Sequence, residues 1–104
     1  MSCAASYTNA AQQRILQLQL VLFSDVVHGY LPSKLAELLQ QPASTITKDL
    51  ANLRIAGLAE RNEATGHWRL TPRLPQQSIK VYAAINAAVR HAEETRNRYT
   101  RNPD

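Results

Sequence analysis

Cysteine is almost missing from this chain. Cys3 stands alone, so no internal disulfide can form, and a reducing cytoplasm is the expected location. Glycine is scarce as well: with three in 104 residues there is no glycine-rich phosphate loop, and no internal repeat or low-complexity tract is found. No segment approaches a membrane span uninterrupted by polar residues, and residues 1–7 lack the basic start and long apolar core of a signal peptide, so a soluble protein is expected. His28, His67 and His91 are too scattered to share a helix face, Cys3 has no CxxC partner, and there is no His-x-x-Glu-His spacing or nucleophile elbow. The expectation is a protein with no catalytic residues, no metal and no cofactor, and not an enzyme.

What remains is the composition of one modest domain, 44% apolar. Twelve Lys and Arg against eight Asp and Glu give a net charge of +4 and a pI near 9.6, a balance that favours a polyanionic partner without identifying it.

The chain is organised around residues 31–73. They read as a short strand, two helices joined by a tight turn, and a two-stranded hairpin. The first helix of the pair, 33–40, aligns Leu35, Leu38 and Leu39 at i, i+3, i+4 on a face that has to be buried. Gln40 and Gln41 form the turn, and Pro42 suits the start of the second helix because its missing N–H would have no intrahelical partner there. Along that helix Ile46, Leu50 and Leu53 form the inner stripe. Ala43, Ser44, Thr45, Thr47 and Lys48 lie away from it, small, hydrogen-bonding or cationic side chains of the kind that meet phosphates and base edges.

Gly57 closes the helix, residues 58–61 alternate in the period of a half-buried strand, 62–66 turn, and 67–70 alternate again. Trp68 and Leu70 fall on one face of that return strand, His67 and Arg69 on the other. This hairpin is the wing, and Thr65, Gly66, His67 and Arg69 are its candidate DNA contacts, Arg69 toward phosphate. The predicted class is mainly α with a small β-hairpin: a winged helix-turn-helix with an added C-terminal helix, whose second paired helix enters the major groove.

The stretch PASTITKDLANLRIAGLAERNEATGHWRLTPRL resembles the N-terminal DNA-binding domain of IclR-type transcriptional regulators. The shared features are Pro42, Ser44-Thr45-Ile46, Leu50, Leu53, Gly57-Leu58, Glu60-Arg61 and Trp68-Arg69-Leu70-Thr71-Pro72, and the resemblance covers roughly residues 11–75. It implies a major-groove role for the helix after Pro42 and a wing role for residues 62–67. Two departures stand out: Ala43 occupies a place where the family commonly has a basic residue, and Asp49 sets an acid beside Lys48. If Asp49 faces the groove, its removal should raise affinity for any DNA. The family's large effector domain has no counterpart before Asp104, so regulation by a small molecule is not carried over.

Either side of this region lies a helix with apolar residues to spare. Residues 9–28 read as one long helix, capped by Asn9 and stopped by Gly29, with a stripe of Ile15, Leu18, Leu22 and Val26 for the core and a second of Leu16, Leu20, Phe23 and Val27. After a linker bracketed by Pro72 and Pro75, residues 76–96 read as a final helix whose stripe includes Val81, Tyr82, Ile85 and Val89. The two spare stripes predict a homodimer interface.

The expected organisation is a flexible leader (1–8), the winged domain (9–75), a dimerisation helix (76–96) and a flexible basic tail (97–104). The expected function is that of a dimeric, repressor-type, sequence-selective regulator binding double-stranded DNA. The alternative is a winged-helix interaction module with a regulatory protein partner; an accessory piece of a nucleic-acid enzyme ranks third.

Overall fold

The computed structural model describes residues 7–102; the expectations for Cys3 and the rest of the leader through residue 6, and for the last two residues, lie outside them. The elements are α1 (Ala10–Leu22), α2 (Pro32–Leu39), α3 (Ala43–Ile55), β1 (Ala59–Arg61), β2 (Trp68–Leu70) and α4 (Arg73–Thr100). The fold is the expected winged helix, mainly helical with one antiparallel hairpin and a long C-terminal helix.

Helix α1 starts where Asn9 Oδ1 accepts the Gln12 N–H at 3.0 Å. It stops at Leu22, six residues short of the expected end. The reason is Asp25, whose Oδ1 accepts from the backbone N–H groups of Val27 and His28 and so offers the chain a turn in place of another helical coil. Leu18 and Leu22 are fully buried, whereas Val26 and Val27, expected on helical stripes, lie beyond the helix and are exposed. Gly29 serves a different purpose from a helix stop. Its φ is 73°, and a Cβ there would sit 2.1 Å from the Trp68 carbonyl oxygen, so only glycine lets the chain pass β2. Tyr30 then exchanges backbone hydrogen bonds with Trp68, at 2.9 and 2.7 Å.

In α2 the buried residues are Leu35 and Ala36. Leu38, expected inside, is 48% exposed, because an eight-residue helix in this position has only a narrow face against its neighbours. The turn into α3 runs through Gln40 in the left-handed region at φ 53°, and Pro42 caps α3 rather than opening it. Gly57, at φ 76°, ends that helix as expected. Strands β1 and β2 pair Ala59 with Leu70, Glu60 with Arg69 and Arg61 with Trp68. Trp68 and Leu70 turn inward and join Leu18, Leu22, Leu35, Ile46, Leu50, Leu53 and Ala59 in the core.

The chain divides into two compact units, Met1–Arg73 and Leu74–Asp104. Helix α4 spans the second, 28 residues long with none buried. Pro75 lies inside its first turn, where the missing N–H has no helical partner to lose, so no linker separates Pro72 from Pro75 as expected. The helix also continues through Thr100, into the segment expected to be a frayed tail.

Candidate nucleic-acid interface

Helix α3 has two faces of different chemistry. Ile46, Asp49, Leu50 and Leu53, at i, i+3, i+4, i+7, are buried. Ser44, Lys48, Ala51 and Ile55, at i, i+4, i+7, i+11, are exposed on the other side, flanked by Ala43 and Thr47; Thr45, expected with them, is half-buried. Thr47 Oγ1 donates to the Ala43 carbonyl at 2.9 Å, and Asn52 donates its side-chain amide to the Lys48 carbonyl at 2.9 Å. No side chain caps the start of α3, so the hydroxyls of Ser44 and Thr45 are not taken up as N-caps.

Asp49 faces inward and not toward a groove. Its carboxylate is held by Arg14 of α1 in a two-point contact, Nε at 2.5 Å and Nη2 at 3.0 Å, with the Asp49 side chain 8% exposed. The hydrogen bond to Asp49 raises the Arg14 pKa above its ordinary value. The acid that set this helix apart from the family pattern is therefore neutralised inside the fold, and its expected use as a repulsive group beside phosphate falls away. A signal for the pair exists in the sequence: Arg14 stands at i, i+4, i+8 with Leu18 and Leu22, and Asp49 at i, i+3 with Ile46.

Ion pairing also locates the unit's positive charge. Four of the five described carboxylates of the first unit pair with Arg or Lys: Asp49 with Arg14, Glu37 with Lys34, Glu63 with Arg61 and Glu60 with Arg69; Asp25 instead accepts from backbone N–H groups, with the His28 ring 3.4 Å away. Lys48 and Arg54 have no carboxylate partner among the described residues, and both are on α3. Arg54 lies over the Trp68 ring, 5.9 Å from its centre, toward the wing; residue spacing alone gave no sign of it.

At the wing, the tip is a turn in which Gly66 N–H donates to the Asn62 carbonyl at 2.7 Å and His67 N–H to Thr65 Oγ1 at 3.2 Å. Thr65 is exposed; Gly66 and His67 are half-buried. His67 Nδ1 is buried without a hydrogen-bond partner among the described residues, and His67 lines a cavity of about 180 Å³ with Val27, His28, Asn62 and Thr65. Arg69 is engaged from two sides, Nε to Glu60 Oε1 and Nη1 to the Val27 carbonyl, each at 3.2 Å.

Of the expected interface residues, Leu16, Leu20 and Phe23 line one exposed face at the end of α1, and Val81, Tyr82, Ile85 and Val89 an exposed face of α4. Val27 leaves the first group because the helix has already ended. No helix among the described residues is long and apolar enough to cross a membrane.

No family model matches the sequence, and no curated protein matches it. Among solved structures, the chain is similar to Pseudomonas aeruginosa HmgR, with a TM-score of 0.57 and 22% identity over 73% of this chain. The chain spans 29% of the length of HmgR. The likeness is one of fold.

Proposed function

We propose that this protein is a sequence-selective double-stranded DNA-binding transcriptional regulator that acts as a homodimer of the repressor type. The observation that supports it most is the outer face of α3. Four of the first unit's five described carboxylates pair with Arg or Lys, its one acid on α3 is turned into the fold, and Lys48 and Arg54, which have no carboxylate partner among the described residues, both lie on the helix that in a winged helix enters the major groove. The likeness in fold to HmgR is in keeping with a winged helix used in this way.

Thr47 and Lys48 meet base edges, while Ala43 and Ser44, with Thr45 behind them, bring the α3 backbone close to phosphate. At the wing Thr65, Gly66 and His67 approach the DNA backbone. Arg69 acts there by holding the hairpin, since a direct phosphate contact competes with its bonds to Glu60 and Val27. The apolar faces of α1 and α4 pair two copies, which doubles the number of helices presented to DNA.

Selection of bound duplexes from a random pool, using the full chain, tests this reading. The expected outcome is an enriched inverted repeat whose half-site centres lie about 10 base pairs, or a multiple, apart. A pool without enrichment would overturn it and leave the interaction-module reading in its place.

A further inference from the structure

The outer face of α3 is poor in the groups that read bases by paired hydrogen bonds. Its first two turns hold no Arg, Asn or Gln, the residues that make two-point contacts to guanine and adenine. Farther along, Asn52 gives one of its two amide N–H groups to the helix backbone, and Arg54 lies against Trp68. What faces outward is one ammonium, Lys48, and the hydroxyl of Ser44 at the helix start, beside small apolar groups. Thr47 has committed its hydroxyl proton to the Ala43 carbonyl, which leaves its methyl and an acceptor oxygen. Ala51 follows one turn on, and Ile55, 85% exposed, continues the line.

In the major groove the apolar group available to such a surface is the 5-methyl of thymine, and the group that suits a lone ammonium is the O6/N7 edge of guanine. We infer that α3 selects its sites chiefly through thymine methyl groups packed against Thr47 and Ala51, around a single guanine contacted by Lys48. This rests on the groove-reading role proposed above. It assigns specificity to Ala51, which the residue types conventionally associated with base reading would pass over. It also makes Thr47 an apolar rather than a hydrogen-bonding reader.

The test uses the full chain and the best duplex recovered from the random pool. Each thymine of that duplex is replaced in turn by deoxyuridine, which removes one methyl and no hydrogen-bonding group. The expected result is a loss of affinity of about fourfold at each contacted thymine, the equilibrium worth of one buried methyl. In Thr47→Ser, which keeps the back-bonded hydroxyl and removes only the methyl, one of those losses should vanish. Enrichment of a site whose affinity is indifferent to deoxyuridine, or the same losses in Thr47→Ser as in the parent, would overturn the methyl assignment while leaving the DNA-reading role standing. A pool without enrichment would remove both.

Discussion

Helices α3 and α4 meet opposite circumstances. The first has 13 residues and buries Ile46, Asp49, Leu50 and Leu53; the second has 28 and buries none. Isolated helices draw little stability from their own backbone, and most comes from packing an apolar face. For α3 that face is answered within its unit, which leaves the outer surface open to chemistry that the fold does not constrain. For α4 the stripe of Val81, Tyr82, Ile85 and Val89 is unanswered. A helix whose apolar face already has a partner is placed to bind something polar; one whose face has none is placed to find an apolar partner.

The same truncation in the two helices should therefore give opposite results. Leu50→Ala removes a fully buried side chain and should cost about 2–5 kcal/mol, read as a lower Tm in calorimetry. Ile85→Ala, at a concentration where the chain is monomeric, should leave the melting of the first unit unchanged. Equal losses would erase the distinction.

A charge sharpens it next. Leu20→Asp or Ile85→Asp should weaken self-association by on the order of a hundredfold in sedimentation equilibrium, because a carboxylate would be buried without a partner. A parent chain that stays monomeric at high micromolar concentration would show that these faces do not pair two copies.

Neighbouring residues on α3 offer the finer contrast. Asp49→Ala strands the Arg14 guanidinium and should lower Tm by a few degrees, less than Leu50→Ala because Arg14 keeps contact with water. Lys48→Ala, at an exposed site, should stay within about 0.5 kcal/mol of the parent. Were Lys48→Ala the more damaging to stability, the two faces would be wrongly assigned.

The smallest effect is expected at the turn after α1. The backbone N–H of His28, more than any other group, holds the Asp25 carboxyl below its ordinary pKa. Folding then gains stability that is fully present above the unfolded value of about 3.9 and is lost as pH falls through the lower folded one. Asp25→Asn keeps an acceptor oxygen but cannot titrate, so its stability should fall less steeply on the acid side. An acid limb identical to the parent's would show that the Asp25 charge contributes nothing.

Helix-turn-helix, hairpin and core stripe were legible because each rests on strict local periodicity: Ile46, Leu50 and Leu53 at helical spacing, Trp68 and Leu70 at strand spacing. The errors have physical causes. Phe23, Val26 and Val27 continue a helical period by coincidence, and only the Asp25 side chain bonding to two backbone N–H groups shows that the helix has ended. Pro75 looked like a boundary because proline breaks helices, yet it is harmless in a first turn. Gln40 adopts a left-handed conformation that glycine would have advertised. The facing of Asp49 was left open because its partner Arg14 is 35 residues away, and the spacings that put each on an inner face, Arg14 with Leu18 and Leu22 and Asp49 with Ile46, do not join one helix to the other.

The two-faced character of α3 is the central claim, and the Thr47→Ala, Lys48→Ala double variant tests it most directly. Measured against the duplex recovered by selection, it should keep the parent's circular dichroism and Tm while losing specific affinity by about 1–3 kcal/mol per lost base contact, with nonspecific binding reduced less. A variant that binds the selected duplex as the parent does, or one that loses binding only because it has unfolded, would contradict the claim.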